Sequence, residues 1–495
     1  MSNVKKLKKM AEQGDAEAQY NLGYCYYSGE DEEQDLEEAV KWFKKAAKQD
    51  NTDAQYMLGN CHYYGEGLGE DYEKAVKWFR KAAEKDHAEA QYMLGNCYYM
   101  GEGVDVDDNE ALNWFTKAAK QDNDNAIFML GKIYYMGDGV DVDDEKAFKY
   151  FQKAAKKDNA YAQHMLGVCY KDGNGTEQDY EKAIKWFTKS AEKDNAEGLC
   201  ALGLCYENGE GVEQDNEKAV KLYKKAAKQD SPEGQYRLAT CYYNGTGVNK
   251  DIDKAVKLYK KAAEQDNCEA QNSLGQCYLK GKGAKKSGEK AAKWFKKAAK
   301  NGSPEGQYNM AVCYYNGIGV KKDLDKAVKY YKEAAEQDNE KAQNALADCY
   351  YKGEGVKSSA KKAVKWYKKA AKQGCADAQN SLGQCYFKGD GIDEDKAEAI
   401  KLFKKAAKQG CADAQNNLGL CYSTGDGVPQ NYDEGFKYYK MAADHGHPDA
   451  QYNLAVYYMN GLGNVKKDEE MADEWIRISA GQGNQQALRI LNSRQ

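Results

Sequence analysis

Apolar and small residues recur along this chain in two alternating helical patterns. In the first, Ala18, Leu22, Cys25 and Tyr26 fall at the i, i+4, i+7 and i+8 spacing of one buried helical face, with Gly23 beside them. This spacing predicts a helix A over roughly Ala16 to Tyr27. In the second, Ala39, Phe43 and Ala46 form the stripe, with Ala47 beside it, predicting a helix B over roughly Leu36 to Lys48. The pair then repeats. Leu22 is matched at Leu58, Leu94, Leu130, Leu166, Leu202, Leu238, Leu274, Met310, Leu346, Leu382, Leu418 and Leu454, each step being thirty-six residues. One extra residue enters near Gly463, and the last anchor is Leu491. Such a period means a stacked all-α array of thirteen two-helix repeats, in which each pair buries its apolar face only against its neighbours.

The local signals agree with that period. The Ala18 and Gly23 positions hold only Ala or Gly in every repeat, so a neighbouring helix can approach closely. The Phe43 position is aromatic through repeat 12, ending at Tyr439. The residue before each helix B is Asp, Ser or Asn, from Asp35 and Asp71 through Ser287 and Ser359 to Asn431 and Asp468, the residue types that cap a helix N-terminus. Between the helices stands Gly-x-Gly, as in Gly65–Gly67 and Gly101–Gly103; its first glycine falls where a left-handed C-cap is needed. Pro232, Pro304 and Pro448 sit in the first turn of helix A, where proline is tolerated. The expected organisation is one solenoid over 1–495. Residues 3–15 form a helix B without its helix A, 16–482 the thirteen repeats, and 483–495 a helix A without its helix B. Half-repeats of this kind can cover the exposed faces of the end repeats.

Charge narrows the partner class. The net charge is −5 with 31% charged residues, and arginine is confined to Arg80, Arg237, Arg477, Arg489 and Arg494. Phosphate and base recognition favour the planar fork of arginine, so nucleic acid is not an expected partner. No run of about twenty apolar residues is present, so no membrane insertion is expected. The N-terminal MSNVKKLKKMAEQGDAEAQY lacks the apolar core of a secretory signal, which reads as a cytoplasmic protein.

The composite A-x-A-Q-x-x-L-G-x-C-Y-x-x-G-x-G-V-x-x-D-x-x-K-A-V-K-W-F-K-K-A-A resembles the Sel-one-like repeat (SLR) family, a relative of the tetratricopeptide repeat. Ala54, Gln55, Leu58, Gly59, Tyr63, Gly65, Gly67, Asp71, Ala75, Trp78, Ala82 and Ala83 carry the resemblance in the second repeat, and it extends over essentially the whole chain. Tetratricopeptide repeats are thirty-four residues long and lack the Gly-x-Gly loop. The resemblance implies a right-handed α/α superhelical solenoid with helix A on the concave side, acting as a non-catalytic scaffold or adaptor for a protein or peptide. It also implies two alternatives: a hydrolase like the β-lactamase-like, cysteine-rich members, or a secreted microbial effector that binds a host protein.

The candidate chemistry is sparse. Of fifteen cysteines, eleven share one helix-A phase, Cys25 to Cys421, where two other repeats carry Ile133 and Tyr457. A position that accepts Ile and Tyr is a core position. Neighbouring helix axes about 8–10 Å apart do not suit a disulfide between equivalent cysteines, so reduced, buried thiols are expected. The paired cysteines of the hydrolase-like members are missing. No CxxC is present, and the histidines His62, His87, His164, His445 and His447 are scattered, so no metal site is expected. The Gly-x-Gly loops follow a helix rather than a strand and lack the third glycine of a dinucleotide site. The Asp-rich loop from Gly137 to Glu145 lacks the spacing of a calcium loop and reads as a helix cap in a solvated turn. No catalytic set, cofactor or small-molecule site emerges. The lysines crowding helix B read as a solvated face.

What varies along the array is the non-core side of helix A. The position of Tyr20 reads Tyr56, Tyr92, Phe128, His164, Cys200, Tyr236, Asn272, Tyr308, Asn344, Asn380, Asn416 and Tyr452 in turn. In repeats 2 to 5 the aromatic or histidine is followed by methionine, including Met57, Met93 and Met129, and Tyr63, Tyr99 and Tyr135 recur two turns later. This predicts an aromatic and methionine surface for an apolar peptide or helix in the N-terminal half, since methionine adapts to varied shapes. In the C-terminal half asparagines would bond an extended backbone. Asn60 and Asn96 stand where related tetratricopeptide grooves clamp a peptide backbone, a role that rests on the resemblance. An acidic ridge of Glu17, Asp53, Glu89, Glu197, Glu233, Glu269 and Glu305 runs alongside and favours basic ligands.

Overall fold

A computed structural model describes residues 3–30 and 32–493, with only the backbone described at residues 3 and 4. Residues 494 and 495, the end of the expected C-terminal half-repeat, lie outside the described residues, as do 1, 2 and 31. The described residues form 28 helices and no strand, in thirteen consecutive A/B pairs with one further helix at each end. Repeat 1 pairs helix A at Ala16–Ser28 with helix B at Leu36–Lys48, and repeat 13 pairs Pro448–Asn460 with Glu469–Gly481. The end helices are Asn3–Glu12 and Gln485–Ser493. The chain forms two compact units, Met1–Asp251 and Ile252–Gln495. The first holds repeats 1–6 and helix A of repeat 7; the second holds helix B of repeat 7, repeats 8–13 and the last helix.

Most helices begin and end on a recognisable cap. Asp35 caps helix B of repeat 1 by accepting from the Glu38 N–H at 2.9 Å. Helix A is capped in the same way by Asp15, Asn51, Asn123 or Asn159 and by the ring nitrogen of His87, whereas Cys375 and Cys411 at this position make no side-chain cap bond. Helix A ends on a left-handed glycine such as Gly65, whose N–H donates to the Cys61 carbonyl. Helix B ends two or three residues before another left-handed residue. That residue is Asp in eight repeats, Asp50 to Asp338, at φ between 54° and 73°, and glycine in others. Aspartate tolerates this conformation better than most non-glycine residues, and its carboxylate is then used: Asp50 Oδ1 accepts from Gln55 Nε2 at 3.0 Å.

The core is the helix-B aromatic set over the helix-A glycine. Phe43, Phe79, Phe115 and Phe151 are fully buried. A methyl group built on Gly131 would come within 2.6 Å of the Phe151 ring, so the two helices touch at that point. Within each unit, helix A packs on the helix B of its own repeat and on the preceding one, so cores of successive repeats interlock.

Two sets of polar bonds fix the spacing of the repeats. The first is a glutamine ladder. The buried Gln19 donates to the Ala11 carbonyl at 3.0 Å and accepts from Gln49 at 2.8 Å. Gln91 repeats the pattern with Ala83 and Gln121, and Gln343 with Ala335 and Gln373 in the second unit. One side chain thereby ties the end of the preceding helix B, a helix A and the end of the following helix B. Where the second glutamine is lysine, as at Lys85 and Lys193, the lysine pairs with Asp50 or Asp158 instead, and the buried Oε1 of Gln55 or Gln163 has no partner. The second set is formed by tyrosines near the end of helix A. Tyr27, Tyr63 and Tyr99 donate to Glu66, Glu102 and Asp138 in the next repeat's Gly-x-Gly loop, and Tyr315 and Tyr351 do so in the second unit.

Candidate partner-binding face

The second turn of helix A holds one variable residue per repeat, which in repeats 1 to 5 and 9 is an aromatic or histidine resting on the helix-B aromatic of the same repeat. Ring centroids lie 6.1 Å apart for Tyr20–Phe43 and Tyr56–Phe79, 6.0 Å for Tyr92–Phe115 and Phe128–Phe151, 5.9 Å for His164–Phe187 and for Tyr308–Tyr331. All are partly buried, with one edge seated and the remainder accessible. Tyr56 also stacks on His87 at 4.7 Å. Tyr236 and Tyr452 are likewise partly buried.

The three methionines are a correction. Met57, Met93 and Met129 are each only 7% exposed and belong to the cores around Phe43, Phe79 and Phe115 of the preceding repeats. A step of one residue turns a side chain about 100° round the helix, here into the space against the previous helix B. They are packing residues and present no adaptable surface. Tyr63 and Tyr99 donate their hydroxyls to the next loop and Tyr135 accepts from Asn174 Nδ2 at 3.3 Å, while all three rings are partly buried. Burial and the Asp138 carboxylate push the Tyr99 hydroxyl up to about 12, which keeps it a donor.

The asparagines are largely engaged with each other. Asn309 donates to Asn272 at 2.8 Å and accepts from Gln276 at 3.0 Å, Asn417 donates to the buried Asn380 at 2.9 Å, and Asn453 donates to Asn416 at 3.3 Å. These bonds join neighbouring A helices within the second unit. The buried Oδ1 atoms of Asn344 and Asn60 have no partner, and Asn96 is partly buried.

Where the aromatic is missing, the surface opens. Cys200 takes its place in repeat 6 and leaves a cleft of about 340 Å³ lined by His164, Glu197, Cys200, Leu204, Glu233 and Arg237. Arg237 is held by Glu233 at 2.6 Å. In the second unit a polar cleft of about 410 Å³ is lined by Asn272, Gln276, Glu305, Tyr308, Asn309 and Glu340. Burial pushes the Cys200 thiol up to about 12, and Cys61 and Cys97 in the shared cysteine phase to the same value, so the nucleophilic thiolate is suppressed. Among the described residues no group of three His, Cys, Asp or Glu is placed to hold a metal ion, and no helix is long and apolar enough to cross a membrane.

Burial also lowers the pKa of His164 and His62 below 6.5, against the opposing pull of Glu197 and Asp71. The folded chain therefore binds fewer protons than the unfolded chain just below pH 6.5, and stability falls as pH drops through that window. Replacing His62 and His164 by Tyr, the residue found at both positions in other repeats, is expected to flatten the urea midpoint between pH 6.5 and 5. An unchanged slope would assign the acid sensitivity to carboxylates.

Two features escaped the sequence reading. The buried glutamine is visible there only as a recurrent polar residue on an apolar face. The last residue of helix A is exposed in repeats 2 to 13, and in three adjacent repeats it is Tyr64, Met100 and Met136.

Comparison with known proteins follows the same boundaries. The Sel1 repeat model matches thirteen consecutive segments, from 16–51 and 52–87 to 412–447 and 448–484. No curated protein is matched. Among solved structures, a protective antigen present in uropathogenic Escherichia coli strains, displaying an SLR fold, is 32% identical, with a TM-score of 0.57 over 99% of this chain and 92% of that one. A Sel1 repeat protein from Oxalobacter formigenes is 33% identical over 49% of this chain and 96% of its own, with a TM-score of 0.44. Sel1-repeat proteins are commonly non-catalytic scaffolds for protein interaction. With the family pattern matched over nearly every residue of two helical-repeat units, the chain belongs to the Sel1 repeat family.

Proposed function

We propose that this protein is a non-catalytic scaffold that binds a protein or peptide partner on the helix-A face of repeats 2 to 5. The observation that carries the reading is the row Tyr56, Tyr92, Phe128 and His164, each seated on the aromatic of its own repeat and partly open to solvent. Rigidly seated aromatics lose little side-chain entropy on binding and are favoured as interface anchors. The flanking Asp53, Glu89 and Glu197 suit a basic partner. A second reading, a microbial protein that meets a host, is favoured by the likeness to the Escherichia coli protective antigen; fractionation of the source cells distinguishes the two.

Asparagine occupies the same position in Asn272, Asn344, Asn380 and Asn416. The triple change Tyr56→Asn, Tyr92→Asn, Phe128→Asn therefore replaces the anchors with a residue the repeat already accommodates. Affinity capture from lysate followed by titration of the captured partner is expected to show a loss of at least about tenfold, or about 1.4 kcal/mol. Equal affinity for wild type and variant would remove the face from consideration.

A further inference from the structure

The last residue of helix A is polar in ten repeats, among them Ser28, Asp172 and Asn208. In repeats 2, 3 and 4 it is Tyr64, Met100 and Met136, each 58–59% exposed. The residue before the helix-B cap shows the same local change. Elsewhere it is polar, and Gln34, Gln178, Gln214 and Gln430 each donate to a carbonyl in the last turn of helix A, closing its C-terminus. In repeats 3 and 4 it is Val106 and Val142, which give up that bond and are 59–61% exposed. One methyl of each valine lies against the C-cap glycine, Gly101 or Gly137, but most of the side chain stays exposed and the capping bond is forgone. Five exposed apolar side chains thus line one edge of three consecutive repeats. The bonds from Tyr63 to Glu102 and from Tyr99 to Asp138 tie the loops of that edge together, so the stripe is held at fixed spacing.

The setting is acidic. Loops 65–73, 101–110 and 137–145 carry four, five and five carboxylates and no lysine or arginine. Lys74, Lys146 and Lys149, just beyond them, pair with Asp71, Asp143 and Glu145, and the remaining carboxylates outnumber these lysines. The equivalent loop of repeat 8 instead holds Lys282, Lys285 and Lys286.

We propose that this loop edge is a docking surface for a basic, amphipathic segment of a partner protein. The partner's apolar face covers Tyr64, Met100, Met136, Val106 and Val142, and its flanking lysines or arginines meet the carboxylate rim. An anionic lipid surface is repelled by the same rim. The proposal rests on the reading of the chain as a protein-binding scaffold and does not use Tyr56, Tyr92 and Phe128.

The test uses the full-length chain and three labelled synthetic helical peptides: one of leucine and lysine with a continuous apolar face, one of leucine and glutamate in the same pattern, and one with lysine retained and leucine replaced by serine. Two variants change no charge and install residues the repeats already use: Tyr64→Asn with Met100→Asn and Met136→Asn, and Val106→Gln with Val142→Gln. Circular dichroism checks their folding. Fluorescence anisotropy is expected to show binding of the leucine–lysine peptide alone. It should weaken at least tenfold in the Asn variant, several-fold in the Gln variant, and on raising salt. Unchanged affinity in both folded variants, or equal binding of the leucine–glutamate or serine–lysine peptide, overturns the proposal. A wild-type dimer in sedimentation that the Asn variant loses also overturns it, since the edge then belongs to a second copy of the chain. The variant at Tyr56, Tyr92 and Phe128 serves as the separate control: loss of peptide binding there, with the stripe variants unaffected, transfers the site to the helix-A aromatics.

Discussion

Phe151→Ala is expected to cost the first unit about 3–5 kcal/mol, the range for truncating a fully buried phenylalanine that leaves a cavity. Phe151 has no exposed surface and contacts the rings of Phe128 and Tyr135 at 6.0 and 6.1 Å. Its cluster draws on residues from Ala111 to Cys169, so three repeats lose a shared contact. In an array held by nearest-neighbour interfaces the damage stays local. Amide exchange should accelerate most in repeats 3 to 5, while the helices near Ala18 keep their protection, and the urea transition should broaden or split. A uniform loss of protection along the whole unit would show coupling that reaches well past the adjacent repeat.

The second large effect is expected at Gly175. Both glycines of the Gly173–Gly175 pair are left-handed, at φ 79° and 69°. Their surroundings differ. A Cβ on Gly173 meets nothing nearer than 3.6 Å, whereas one on Gly175 would lie 2.1 Å from the carbonyl oxygen of Asp144, in helix B of the preceding repeat. Gly173→Ala carries only the cost of the left-handed backbone, about 1–2 kcal/mol. Gly175→Ala adds a collision with main chain that no rotamer relieves, for about 2–4 kcal/mol in all. Urea denaturation of the two variants side by side gives the comparison. Equal costs would mean that the second glycine serves the turn alone and not the contact between repeats.

The difference between those glycines marks the boundary of what the sequence discloses. Period, helix pairing and caps are local quantities, and Leu22, Phe43 and Asp35 report them without reference to other repeats. The second glycine, the Tyr63–Glu102 bond and the Gln19–Gln49 bond join residues of different repeats or different helices, and only the stacking register brings them together. The methionines were misplaced for a related reason. Helix A is packed by two B helices, so its apolar stripe is wide, and periodicity does not mark which residue at its margin faces outward. Met57 fell inside that margin, and Tyr64, polar in most repeats, fell outside it. The left-handed Asp50 series was legible in composition, as an Asp-or-Gly position, but its conformation follows from helix B ending two or three residues earlier.

The glutamine ladder has a consequence for how such a chain changes length. Its rungs span thirty residues in the repeats of regular length and thirty-one in the last, where Gln482 reaches Gln451 across the extra loop residue. The partner is glutamine in most repeats, with lysine at Lys85 and Lys193 and histidine at His445, and Ile127 and Leu199 replace the buried glutamine in repeats 4 and 6. Removing or duplicating a block of thirty-six residues therefore keeps each buried glutamine opposite the same repeat position, while a block that is not a multiple of thirty-six leaves buried amides facing the wrong neighbour. Recombination between gene copies thus meets a strict filter on length and a lenient one on position. Under that filter, reach can be gained or lost one repeat at a time, while a local surface such as the Tyr64–Met136 edge is carried along intact.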